Sequence, residues 1–574
     1  MNPVLSHPLM VTHPPFAFLS YAFLGLYFSV SMGALLKKTE FNWIKRYHFT
    51  LYIALFGLTV TMVLGSLWAY EITGWGGYWS FDPVESGSLS LWFSILFLLH
   101  IYPLYQKYQF GKIWFYGVPI FFTFSMFYVS FLIRSGLLES FTTHTYAQGG
   151  LVVVLYGIVF LLLVLPSVFL WRNYLQLTNE KKEHKKPSRP IFTEKFLLYF
   201  FGVFTIILFV QATLPVFTEK IYLSSTLIQV FMILFLLFIC AYLIRLFLAQ
   251  HTLSFFLQVH AFTLIAYIVI IWAYPSLREV QHAPLYFFSI YIGFLWSFFW
   301  IFRSLKIISW KSIGSMFVHC AIGFILVGVF INTPLNRTET VFLTTNQTQT
   351  IGSYRFVEGK EKHQSSMYIG QKRTMHILCK TSEGKTFHLQ PALWSYTRNF
   401  TNYTLPIPAM VFQLKEDIQV IPFAESGILA RRYDTIEREG FSFRLIQYES
   451  SILENGFSLE RAIVEMKKNH PDDVPEEIRL QRLLHPNGKQ LNNASAFSHT
   501  LQDYVYWVDT IGDDAIVLNT DKFQDHTKYE IQFKPGMFWI RSAYWLLVIG
   551  CFFLLFSLVK GVFKKRKKTR TIIE

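Results

Sequence analysis

Long apolar stretches, matched in length to a lipid bilayer, divide this chain almost from end to end, and no other feature limits its fold as strongly. A hydrocarbon core about 30 Å thick requires ~20 predominantly apolar residues per helical span. Eleven stretches meet that requirement, at roughly 16–36, 48–69, 87–106, 113–134, 149–171, 196–215, 224–249, 253–275, 286–302, 312–332 and 537–560. Hydrophobic residues make up 53% of the chain and charged residues 15%, with 60 phenylalanines, a balance that excludes an ordinary soluble protein of this size. The net charge of +15 is no sign of nucleic-acid binding, because the basic residues gather in the connectors between apolar stretches.

Those connectors orient the chain. Lys37, Lys38, Lys45 and Arg46 follow the first span, Lys107 and Lys112 the third, and seven basic residues run from Arg172 to Lys195 after the fifth. Lys564, Lys565, Arg566, Lys567 and Lys568 follow the last span, whereas residues 70–86 and 135–148 hold no Lys or Arg. The positive-inside rule then predicts an outer N-terminus and an inner C-terminus. No basic region or small-residue cleavage site precedes the first apolar stretch, which is expected to act as its own insertion signal.

The expected architecture is a polytopic α-helical membrane protein of about 11 transmembrane helices with a mostly β, outer-facing soluble domain. Residues 1–332 form the membrane part, with an aromatic outer loop at 70–86. Residues 333–535 form the outer domain, and 536–574 the last helix with a basic inner tail. Within the outer domain Thr340–Thr344, Met410–Leu414 and Phe441–Gln447 alternate apolar and polar residues at least in part, as half-buried strands do. Leu459–Leu484 carries a more helical, charged pattern. Cys240, Cys320, Cys379 and Cys551 form no Cys-x-x-Cys pair, so neither a zinc site nor a redox pair is indicated.

The outer loop reads Trp75-Gly76-Gly77-Tyr78-Trp79-Ser80-Phe81-Asp82-Pro83-Val84-Glu85-Ser86. Indole rings suit a membrane surface, where one edge is apolar and the N–H stays wet. Paired glycines admit a large flat ligand close to the backbone, and the aromatic faces offer stacking area; haem has that shape and that mixture of apolar body and charged rim. An ordinary interfacial aromatic belt is the plainer reading, but a belt needs neither the glycine pair nor the Asp-Pro turn. Asp82 and Glu85 are placed to fix the loop or to orient an imidazole. Arg134, at the outer end of the fourth span, either pairs with a carboxylate of the ligand or snorkels to the interface.

Histidines within spans need partners. His100 lies about seven residues before Lys107, and His319 eight after Lys311, so both stand ~10–12 Å from the inner boundary. Such a pair could ligate a haem iron from both sides. Spacing alone leaves this level with two unrelated hydrogen-bonded rings, and His260 is a competitor of similar depth. His13 and His144 each lie a few residues before an apolar run on the outer side, where either a loop role or ligation is open.

The segment from Gly65 to His100 resembles the tryptophan-rich signature of the haem-handling CcmF and CcsA proteins. Asn2-Pro3 through His13-Pro14-Pro15, Phe131-Leu132-Ile133-Arg134-Ser135-Gly136 leading to His144, His319, and Lys534-Pro535 resemble CcmF in particular. Tyr78 and Phe81 stand where that family usually has Trp, and Ser86 where it usually has Asn. The resemblance implies a cytochrome c haem lyase component, which presents haem for thioether attachment to an apocytochrome Cys-x-x-Cys-His motif; a haem transporter or passive haem-binding subunit is the alternative. It implies a resident haem b between His100 and His319, and substrate haem held by His13 and His144 over Trp75, Gly76, Gly77, Trp79, Asp82 and Pro83, with Arg134 nearby. The implied partners are a haem chaperone of CcmE type, an apocytochrome-binding thiol subunit of CcmH type, apocytochrome c, and a separate chain supplying further N-terminal spans. The implied location is a bacterial or mitochondrial inner membrane.

Overall fold

The helices of the membrane part are α1 (Pro8–Lys37), α2 (Trp43–Ile72), α3 (Pro83–Tyr108), α4 (Trp114–Ser135), α5 (Gly150–Glu180), α6 (Phe192–Phe217), α7 (Leu253–Ala273), α8 (Ala283–Leu305), α9 (Trp310–Leu335) and α10 (Met537–Ile573). All ten, among the described residues, are long and apolar enough to cross a membrane. This computed structural model describes residues 7–37, 43–72, 78, 79, 81–108, 110–135, 150–180, 192–217, 235–247 without 238 and 245, and 253–573. Breaks in the last range fall at 345–347, 360–361, 367–369, 399–400, 423–427, 432–434, 439–440, 454–456, 469–473, 485–494, 499–502, 512–514 and 520–525. The expected span at 224–249 lies largely outside the described residues; within it Phe235–Ile244 is helical.

Two groups of helices pack side by side. Tyr27, Trp43, Leu51, Leu58, Leu91, Ile95, Phe115 and Phe122 are the buried centre of α1 to α4. Phe294, Phe299, Leu326 and Val327 belong to the buried apolar contacts among α7, α8 and α9. α10 joins the groups, lying along α9 and against α2, where Thr59 Oγ1 and Cys551 Sγ are 3.7 Å apart. The α9–α10 contact is close because it is built on glycine: a Cβ on Gly314 would meet the backbone of Leu554 and Gly550 at 2.8 and 2.9 Å. Close backbone approach between helices is how apolar spans gain dispersion contact without a hydrophobic drive. α5 and α7 turn large apolar side chains such as Leu162, Phe169 and Trp272 outward, a surface suited to acyl chains.

A β domain stands between α9 and α10. In its first sheet the strand Arg337–Thr344, which leaves α9, pairs antiparallel with His526–Pro535, which enters α10; Glu416–Pro422 and Ala409–Val411 complete the order. Gly536 makes the turn into α10 at φ 79°, and a Cβ there would meet Gly328 O at 2.9 Å, so only glycine fits. A second antiparallel sheet, from Thr348 to Leu389, covers the first over Phe356, Ile377, Cys379, Ile418, Ile531 and Phe533. Between Pro422 and His526 the chain forms two further four-stranded sheets with their own core around Phe443, Leu445, Val464 and Leu480.

Thr340–Thr344 and Phe441–Gln447 fall in strands as their alternation suggests, whereas of Met410–Leu414 only Met410 and Val411 do, the strand ending at Val411. The helical reading of Leu459–Leu484 is corrected: Ser458–Lys468 and Glu476–Leu484 are paired antiparallel strands. Ala462, Val464 and Met466 line the buried face while Arg461 and Glu465 alternate with them. Pairing on both sides of that strand overrides the helix-favouring Leu, Glu, Arg, Met and Lys of its composition.

Candidate functional site

Two histidines of the helical layer come within electrostatic reach of each other, His100 on α3 and His319 on α9, although α3 and α9 do not pack closely along their lengths. His100 Nδ1 lies 2.8 Å from Leu96 O, and His319 Nδ1 lies 2.7 Å from Ser315 O. A carbonyl only accepts, so each Nδ1 carries the proton and each neutral ring keeps its lone pair on Nε2. That is the tautomer a metal ligand requires, with the second-shell bond already made by the ring's own helix. Phe201 lies 4.8 Å from the His100 ring, and Trp300 stacks on the His319 ring at 3.8 Å. Trp296 donates Nε1–H to His319 O at 2.8 Å, fixing that turn of α9.

His260 on α7 has the same i−4 bond, Nδ1 to Phe256 O at 3.0 Å, but sits among Phe247, Phe256 and Tyr291. Among the described residues no three His, Cys, Asp or Glu side chains cluster as a metal site. A two-histidine set suits a metal that brings its own equatorial ligands, as an iron porphyrin does.

The second group lies at the end of the layer that faces the β domain. α1 begins at Pro8, so His13 is inside the helix and not ahead of the first span, and Pro14 and Pro15 fall within α1. His13 Nδ1 donates to Leu9 O at 2.8 Å, and its ring stacks on Trp68 of α2 at 6.0 Å. One turn further out His7 Nε2 and Glu71 Oε2 are 3.3 Å apart. Trp75, Gly76, Gly77 and His144 lie outside the described residues.

Asp82 and Pro83 form the start of α3. Asp82 Oδ1 accepts the Glu85 N–H at 2.7 Å, with Pro83 as the first helical residue, the usual N-cap and N1 pairing. Phe81 stands just before it at φ 58°, its carbonyl accepting from Ser86 Oγ at 3.0 Å and Gln211 Nε2 at 3.4 Å. A bulky residue in the left-handed region stays there only when its surroundings hold it. The strained turn presents the Phe81 ring outward, edge-on to Trp79 at 6.4 Å. The Trp79 Nε1–H is buried with no hydrogen-bond partner among the described residues, a donor suited to an acceptor on a bound molecule. Arg134 ends α4 with its guanidinium 5.7 Å from the Tyr156 ring.

Beneath the β domain lies a polar cluster that the sequence reading missed. Asp417 Oδ2 accepts from Tyr70 Oη at 3.0 Å and from Arg541 Nη1 at 2.8 Å, and Asp417 Oδ1 accepts the Gln413 N–H at 2.9 Å. Burial raises the Asp417 carboxyl above its ordinary range, against the pull of Arg541. Lys534, buried beside it, is pushed down to about 7 by burial, against Asp417 and Glu530. The available signal was Arg541, a charge five residues into an apolar span.

Residues 1–138 match the model of the cytochrome C assembly protein family. A cytochrome c-type biogenesis protein of Rhodobacter capsulatus is 38% identical over 150 residues, which are 26% of this chain and 22% of that protein. CcmF of Escherichia coli is 34% identical over 151 residues, 26% of this chain and 23% of that protein. The stretch shared with these relatives thus spans about a fifth of their length. NrfE of Haemophilus influenzae is similar over far more, 24% identical across 78% of this chain and 70% of its own. The solved structure of a cytochrome c haem lyase CcmF shares the fold, with a TM-score of 0.55 at 15% identity over 96% of this chain and 72% of that one. With its helical layer, its β domain and this assembly segment, the chain is similar to the CcmF proteins of cytochrome c-type biogenesis and shares their fold.

Proposed function

We propose that this protein is a haem-handling subunit of cytochrome c maturation that holds haem at the outer face of a membrane for attachment to an apocytochrome. The observation that carries the reading is the pair His100 and His319, whose Nδ1 atoms are tied to their own helices and whose Nε2 atoms are the lone-pair nitrogens. These two rings would hold a resident haem b, which supplies one-electron redox chemistry when bound. Phe201 and Trp300 set the ring planes, and the surrounding apolar helices keep water from the iron ligands.

Substrate haem would be taken up where α1, α2 and the Trp79–Pro83 segment meet beside the β domain. His13 and His144 are its proposed axial ligands, with Trp75, Gly76, Gly77 and Trp79 beneath it and Arg134 toward a propionate. Asp82 and Pro83 act by fixing the start of α3. The apocytochrome thiols would add across the haem vinyl groups, each S–H proton going to the vinyl carbon that does not take the sulfur. The chain's part is positioning, which removes much of the entropic cost of bringing the groups together. A CcmE-type haem donor and a CcmH-type thiol subunit fit this scheme, docking on the β domain with the N-terminus outside and the C-terminus inside.

The test is the absorption spectrum and haem stoichiometry of the purified protein. A six-coordinate, low-spin b-type spectrum is expected, shifting to a five-coordinate form that binds added imidazole in His100→Ala or His319→Ala. Full haem content and an unchanged spectrum in both variants would overturn the ligand assignment.

A further inference from the structure

Asp417, Gln419 and Lys534 are among the most deeply buried polar residues described, and all three lie on adjacent strands of the first sheet. Their partners come from elsewhere. Tyr70 is in the last turn of α2, Arg541 in the first turns of α10, and Tyr78 just before α3. Gln419 donates Nε2–H to the backbone carbonyl of Tyr70 at 3.2 Å, and its Oε1 accepts from Lys534 Nζ. Lys534 Nζ lies 4.8 Å from the centre of the Tyr70 ring. Tyr70 stacks on Tyr78 at 4.0 Å, and Arg541 Nη1 lies 3.5 Å from Tyr78 Oη. Two tyrosines that bracket residues 71–77 in the sequence are therefore gripped from one side by a strand of the β domain and from the other by α10.

A buried ion pair adds little stability over an apolar replacement, because desolvation offsets its attraction. What it adds is direction: each donor of Asp417 is held to one angle and one distance. Apolar packing would join these elements without fixing either tyrosine hydroxyl.

We propose that Asp417 is a positioning residue, which sets the placement of Tyr78, and with it the neighbouring rings of Trp79 and Phe81, through Tyr70 and Arg541 and so couples the β domain to haem capture on those rings. The coupling to haem rests on the proposed outer haem site; the positioning itself does not. A partner that shifts the sheet on docking would move Asp417 and Gln419, and with them both tyrosines.

The test uses the full-length protein in detergent, with Asp417→Asn, Tyr70→Phe and the double variant Asp417→Asn/Arg541→Gln. Hemin binding is followed at the Soret band, and chymotrypsin cleavage after Tyr78 and Trp79 by mass spectrometry, both well below the thermal midpoint. Asp417→Asn is expected to weaken outer-face hemin binding about tenfold and Tyr70→Phe about threefold. Both should speed cleavage after Tyr78 while circular dichroism and the intramembrane haem spectrum stay as in the wild type. Asp417→Glu should restore part of the affinity. A purely structural Asp417 would lower the thermal midpoint and leave hemin affinity and cleavage unchanged, which would overturn the proposal. If Asp417→Asn does not accumulate, Tyr70→Phe, which keeps the buried ion pair, decides. If the wild type takes up no hemin at its outer face, the outer-site reading fails and cleavage alone decides: faster cleavage upholds the positioning role, unchanged cleavage ends it.

Discussion

His100 and His319 each settle one ring nitrogen on a carbonyl four residues back in their own helix, whereas Asp417 draws its donors from α2, from α10 and from the turn that precedes its own strand. Both arrangements bury polar groups, with opposite results. The first is built locally and leaves Nε2 directed outward from the helix, available to a ligand. The second is closed, every carboxylate bond being spent on holding elements of the protein. A locally satisfied ring is suited to take a ligand, and a mutually satisfied cluster is suited to keep geometry. The two sets of residues should therefore fail differently when altered.

The largest effect should come from the histidines. His13→Ala is expected to abolish holo-cytochrome c formation while the protein still inserts, and normal holo-cytochrome levels would remove His13 from the outer site. His100→Ala and His319→Ala should lose the low-spin spectrum without loss of fold, as judged by unchanged circular dichroism.

Breaking the closed cluster should act on stability as well as on the placement of Tyr78. Arg541→Met leaves the Asp417 carboxylate buried without its cation, at an expected cost of ~3–5 kcal/mol. The double variant Asp417→Asn/Arg541→Met should recover most of that loss. Equal destabilisation of single and double variants in denaturant titrations would show that the pair is not a coupled unit.

Lys534 offers a finer probe. Its folded pKa, about 7, lies below the unfolded value of about 10.4. Below pH 7 both states are charged, and the folded state bears the full cost of a buried ammonium. From about pH 7 to 10.4 the unfolded chain binds more protons, so stability should rise with pH across that window. Lys534→Met should flatten the rise; an identical pH profile in the variant would assign it to other groups. The smallest effect expected is that of His260→Ala, which should change neither spectrum nor maturation, since its ring is packed among Phe247, Phe256 and Tyr291.

The contrast also explains what could be read in advance. The helical layer follows from runs of apolar residues, a local quantity, and the depth match expected of His100 and His319 rests likewise on their distances to Lys107 and Lys311. The strands at Thr340 and Phe441 were legible from alternation. Leu459–Leu484 was not, because its helix-favouring residues are overruled by neighbours paired across the sheet. Asp417 meets Tyr70 across 347 residues of sequence and Arg541 across 124, and no pattern within a window of sequence carries such a contact. Phe81 escaped for another reason: nothing in its identity announces a positive φ, and only the Ser86 and Gln211 bonds to its carbonyl show that the turn is held.

The pairing of Arg337–Thr344 with His526–Pro535 places a condition on the order in which the protein is made. The first strand emerges immediately after α9 and has no partner in this sheet until the chain has been extended almost to α10. Contacts of such long sequence separation form late, and an unpaired edge in the interval is exposed to mispairing. The strand that completes the sheet leads through Gly536 directly into α10, so closure of the domain and arrival of the last helix in the membrane are nearly one event. Truncation before residue 526 would thus leave the first strand unsealed as well as removing the last helix. A chaperone that shields this domain during synthesis would be needed most in the moments before the final helix enters the bilayer.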